Sequence, residues 1–181
     1  MSVGYQFVES KDGSCNGNFV GIGADCCTNS SVRVDSSDPW GIAIVNGEFT
    51  SFTFGKDNGV DHTQLVVSAS NTGAVRLSNS AFWGPSHKIA SIDGSGSVGF
   101  SDCIFNEWDA AGTGQAAIQS IGKSDLMVRG CDFQRSHPGG QVLLAAGSGK
   151  AIITENLMVG VQKVTNNGAK LAIVKDNAPD A

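Results

Sequence analysis

Glu107 and Asp109 stand two residues apart, and the three histidines of the 181-residue chain, His62, His87 and His137, lie in short polar stretches around them. Two neighbouring carboxyls are the machinery of glycoside hydrolysis, which needs them about 5–10 Å apart. A polysaccharide lyase instead needs a cation to meet the uronate carboxylate and a basic side chain. Arg135 and Lys88 offer those groups, with His87 and His137 beside them. Trp83 and Trp108 offer faces that stack on sugar rings, and Asn106 an amide that bonds hydroxyls. On this reading Glu107 and Asp109 are the catalytic acid/base pair, assisted by His87, Arg135 and His137. Trp83, Trp108, Lys88 and Asn106 bind substrate. The opposing reading makes the polar residues ordinary solvated turns and the two tryptophans a cover on an aromatic stack. The elements that carry these residues decide between the two.

Those elements repeat. Six segments align: IVNGEF (44–49), LSNSAF (77–82), FSDCIF (100–105), VRGCDF (128–133), ITENLM (153–158) and VKDNAP (174–179). Each opens on an apolar residue, carries a small or amide residue at its fourth position, and reaches Phe49, Phe82, Phe105, Phe133, Met158 or Pro179 at its sixth. A second strand-like run follows in each repeat, and glycines supply the corners. One supersecondary unit stacked on itself gives this pattern. The expected fold is all-β, a right-handed parallel β-helix of about seven coils, with an internal Phe ladder at about 4.8 Å spacing. An antiparallel sandwich would show two-residue hairpin turns and would not repeat the same columns six times. A single domain over 1–181 is expected, with 1–40 an irregular opening coil or cap and 41–179 the regular coils.

Measured along this ladder, all three histidines, Trp83 and Trp108 fall at the corners that follow the Phe column. The opposite corners are mostly Gly, Ser and Asn. The same ladder excludes a three-histidine metal site. His62 and His137 are three coils apart, roughly 14 Å, while ligands of one ion each lie about 2 Å from it. The column Asn46, Asn79, Asp102, Gly130, Glu155 and Asp176 could be taken for a Ca²⁺-binding face, but its mixture of acids, amides and glycine reads as the turn-forming side of each strand. No cofactor is expected.

Seventeen acidic against twelve basic residues, a formal charge of −5, exclude nucleic acid and anionic membrane surfaces as expected partners. No apolar run reaches the length of a membrane span. The opening residues lack an export signal, which leaves a cytosolic protein or, slightly favoured, a secreted one whose signal has been removed. Cys103 and Cys131 share the small column and are expected as stacked, reduced thiols. A disulfide from Cys15 to Cys26 or Cys27 would staple the opening coil. The last coil has no capping helix, so that end is expected to be covered either by another subunit, as a homo-oligomer, or by an unusual N-terminal segment.

SAFWGP (80–85), GSVGFSDCIFNEWD (96–109), LMVRGCDF (126–133) and AIITENLM (151–158) resemble the C-terminal coils of bacterial pectate-lyase-superfamily proteins. These phrases repeat that family's coil grammar and carry no catalytic signature. The resemblance implies a right-handed β-helix with a polysaccharide-associated role. The expected function is therefore binding of a polysaccharide along the Trp83–Trp108 edge, with hydrolytic or lyase cleavage if Glu107 and Asp109 act on it. A non-catalytic structural or assembly module is the alternative.

Overall fold

Side chains alternate in and out along a strand, so a coil buries every second residue and leaves corners free to vary. The computed structural model describes residues 2–25, 27–51, 62–134 and 138–179, and over these the chain is a parallel β-solenoid of seven coils with no helix. Each coil contributes one strand to each of three seven-stranded parallel sheets. The first sheet stacks Val3–Phe7, Ser30–Val34, Thr63–Val67, Lys88–Ile92, Ile118–Ser120, Val142–Leu144 and Val164–Asn166. The second stacks Cys15–Val20, Ser37–Val45, Ala74–Ser78, Ser97–Ser101, Asp125–Arg129, Lys150–Thr154 and Leu171–Lys175. The third stacks Gly23–Asp25, Glu48–Thr50, Ala81–Trp83, Ile104–Phe105, Asp132–Phe133, Leu157–Met158 and Ala178–Pro179. The opening stretch supplies a first coil that pairs with the second through Val3↔Ser30, Phe19↔Ile44 and Ala24↔Phe49, with a shift of register between Cys15 and Gly17.

The aligned columns are the interior. Phe49, Phe82, Phe105 and Phe133 form a continuous ladder with successive ring centroids 5.0, 5.8 and 4.9 Å apart. Burying each ring contributes roughly 1.5–3 kcal/mol. Beside them Gly47, Ser80, Cys103, Cys131 and Asn156 are buried, and Asn156 extends the column by donating to Asn177 Oδ1 at 2.9 Å. Cys103 and Cys131 are free thiols; a hydrogen bond to Cys103 and burial push the Cys131 thiol up. Cys15 and Cys27 are also free, so neither takes part in the expected staple; Cys26 lies outside the described residues.

The corner between the second and third sheets is made by one left-handed residue per coil. Asn46, Asn79, Asp102, Gly130, Glu155 and Asp176 have φ between 47° and 64°. Asn, Asp and Gly tolerate that region best, which explains the composition of this column. Asn79 Nδ2 also donates to Asn46 Oδ1 at 2.7 Å, linking two coils outside the sheets. Between the first and second sheets the coils approach so closely that a Cβ on Gly96 would lie 1.9 Å from the Gly73 carbonyl oxygen. Only glycine fits there.

Candidate functional site

The third sheet is short in every coil, and its last outward position opens on the variable corner. Trp83, Asn106, Gln134 and Val159 occupy that position in four successive coils, held by backbone bonds such as Asn106 N to Phe82 O and Gln134 N to Phe105 O, both 2.9 Å. In-register stacking sets these side chains about 4.8 Å apart. Two residues earlier, Glu48, Ala81, Ile104, Asp132 and Leu157 form the neighbouring outward row. The carboxylates of this row hold the next one. Glu48 Oε1 accepts from the Trp83 indole at 3.2 Å, and Asp132 Oδ2 accepts from Gln134 Nε2 at 2.8 Å. Asn106 carries an enclosed Oδ1 with no hydrogen-bond partner among the described residues. The result is a strip with a half-buried aromatic at one end and amides and carboxylates along it.

Trp108 is not on this strip. Its side chain is 0 % exposed, packs edge-on to Phe133 at 5.9 Å and donates Nε1–H to the Gly140 carbonyl at 2.9 Å. It is a core residue, and its faces are not available to a sugar. Asp109 is likewise buried; Oδ1 accepts from Thr113 N at 3.0 Å and Oδ2 from Gly114 N at 2.9 Å. That carboxylate caps its own loop. Glu107 and Asp109 both adopt left-handed backbone, with φ of 62° and 57°. The two reversals flank Trp108 at the turn that seats it inside.

Glu107 and His87 are half-buried at the corners of adjacent repeats, where Ser86 N donates to the Glu107 carbonyl and His87 N to the His62 carbonyl. Lys88 is half-buried, and burial lowers its pKa. His62 is enclosed, with Nε2 3.4 Å from Ser31 Oγ, and burial pushes its pKa down to about 4. It is therefore a neutral structural histidine near pH 7. Arg135 and His137 lie outside the described residues. Among the described residues no three His, Cys, Asp or Glu side chains group to hold a metal ion.

No family model, curated protein or solved structure matches this chain. The site therefore rests on its own geometry. Glu48, Asp132 and Gln134 are the members that the sequence reading did not single out. The aligned segments contain the signal for two of them, since Glu48 and Asp132 share the fifth position. Trp40 was also missed. It is 87 % exposed on a bulge in the second sheet, at the tip of Asp38-Pro39-Trp40-Gly41, where Asp38 Oδ1 accepts from Gly41 N at 2.8 Å. Asp, Pro and Gly stand there at the positions that a type I turn favours.

Proposed function

We propose that this solenoid binds an extended polysaccharide along the outer strip of its third sheet. The half-buried Trp83, fixed by Glu48 at the head of a column of hydrogen-bonding side chains, is the observation that carries this reading. An indole held in one orientation stacks on a sugar ring with little loss of side-chain freedom. Asn106, Gln134 and Asp132 follow at the coil repeat and meet hydroxyls of successive sugars. His87, Lys88 and Glu107 flank the strip at the corner. The likeness of SAFWGP and GSVGFSDCIFNEWD to pectate-lyase-superfamily coils supports the same substrate class.

The reading is of binding without cleavage. Asp109 is engaged with Thr113 and Gly114. The strip's own carboxylates, Glu48 and Asp132, stand three coils apart, roughly 14 Å, beyond the separation a glycosidase pair uses. Affinity electrophoresis through gels containing neutral and acidic polysaccharides tests it. Retardation by at least one polymer, lost in Trp83→Ala, is expected, with no release of reducing ends or unsaturated uronate. No retardation by any polymer would defeat the binding reading. Product release that survives purification would defeat its non-catalytic part.

A further inference from the structure

The corner opposite the strip, between the first and second sheets, holds a groove that the fold assembles from three coils. Lys123, Lys150 and Lys170 line it together with Asp125 and the turns Gly147-Ser148-Gly149 and Gly168, around a volume of about 370 Å³. The lysines are 27 and 20 residues apart, which is the coil repeat, so stacking brings them to one place. A second hollow of about 480 Å³ adjoins through Lys123 and Gly147, and a third of about 240 Å³ through Asp125 and Lys150.

The charge balance of this groove runs against that of the chain. Residues 1–110 carry five basic against twelve acidic residues, whereas 111–181 carry seven against five. Two cations further along the second sheet are neutralised locally: Arg129 Nε meets Glu155 at 2.7 Å and Lys175 Nζ meets Asp176 at 3.4 Å, while Arg76, beside the third hollow, donates to the Ser97 carbonyl and hydroxyl. Among the described residues none of the three groove lysines is in an ion pair. The one carboxylate between them, Asp125, uses Oδ1 to accept from Lys150 N at 2.8 Å and so is held as a turn cap. Three exposed ammonium groups gathered over a concave, glycine-rich surface repel one another when empty and attract an anion.

We infer that this groove is a second binding site, separate from the third-sheet strip, for an oligoanion that presents two or three sulfate- or phosphate-type groups. A single-stranded nucleic acid fits less well, because no aromatic side chain lines the groove around the lysines for bases to stack on. The ammonium groups reach oxyanions as point charges, so the site selects charge number and spacing more than shape.

The test is calorimetric titration at low ionic strength with two probes, tripolyphosphate and a sulfated tetrasaccharide. The variants are the triple Lys123→Gln, Lys150→Gln, Lys170→Gln and a control triple, Lys11→Gln, Lys163→Gln, Lys175→Gln, of equal charge change. At least one probe is expected to bind the native chain and to bind the groove variant about tenfold more weakly, as three exposed charge contacts would give. The control should stay within about twofold of the native chain. Preference for tripolyphosphate identifies a small oligophosphate as the ligand type, and preference for the tetrasaccharide a sulfated glycan. Failure of both probes to bind overturns the inference. So does equal weakening in both triples, which would show a response to net charge alone. Tighter binding of a single-stranded oligonucleotide than of either probe would overturn the ligand class.

Discussion

The Trp83 indole donates to Glu48 Oε1 at 3.2 Å, a bond that crosses from one coil to the next. It orients an aromatic side chain without enclosing it. Removing the acceptor takes away a bond that fixes the indole's orientation, so Glu48→Ala should weaken glycan binding about two- to fivefold, the scale of one exposed hydrogen bond. The melting temperature should remain close to native. Paired titration and thermal unfolding check both halves.

The two tryptophans of the variable corner should separate cleanly by experiment. Trp108 is enclosed and bonded to the Gly140 carbonyl, so Trp108→Ala should destabilise the fold by about 3–5 kcal/mol. Trp83→Ala should cost less than about 1 kcal/mol while abolishing glycan retention. Urea unfolding of both variants, beside affinity electrophoresis, gives the comparison. Equal destabilisation would mean that Trp83 is a packing residue.

Asp109 should behave as a loop cap. Its carboxylate accepts from the amides of Thr113 and Gly114, and Asp109→Ala orphans both donors at a cost of about 1–3 kcal/mol. Glycan affinity measured below the variant's unfolding temperature should match the native value. A selective loss of affinity with no loss of stability would return Asp109 to the binding site.

Acid should weaken the fold through His62. The unfolded chain takes up a proton near the ordinary histidine pKa of about 6.5, whereas burial holds the folded group down to about 4. The unfolded state therefore binds more protons between these values, so stability is full above that window and falls as pH drops through it. The loss approaches on the order of 3 kcal/mol by pH 4. Urea midpoints at pH 7.5, 5.5 and 4 should show this slope in the native chain and a shallower one in His62→Gln. An identical slope in both would assign the acid sensitivity to other groups.

The columns were legible in the sequence because a solenoid's interior must repeat. A residue stacked on its counterpart has the same neighbours in every coil, so Phe49, Phe82, Phe105 and Phe133 could be aligned without coordinates. The left-handed corner was legible for the same reason, as Asn, Asp and Gly recur where φ is positive. What was hidden lies where the repeat breaks. Trp108 reads as an exposed corner residue by counting from Phe105. Glu107 and Asp109 turn the backbone on both sides of it and place the indole inside, and no counting rule anticipates two left-handed residues in the same turn. The lysine groove was hidden for a different reason. Its members are scattered among glycines, and only coil stacking gathers them.

The most direct measurement follows the indole N–H signals of Trp40, Trp83 and Trp108 by two-dimensional NMR during titration with linear hexasaccharides from each polymer that retards the protein. The account predicts that the Trp83 signal moves with ligand while that of the buried Trp108 does not, and that Trp83→Ala binds at least about tenfold more weakly, the loss of one stacked ring. A Trp83 signal unmoved at saturating ligand, or a movement confined to Trp40 on the second sheet, would contradict it.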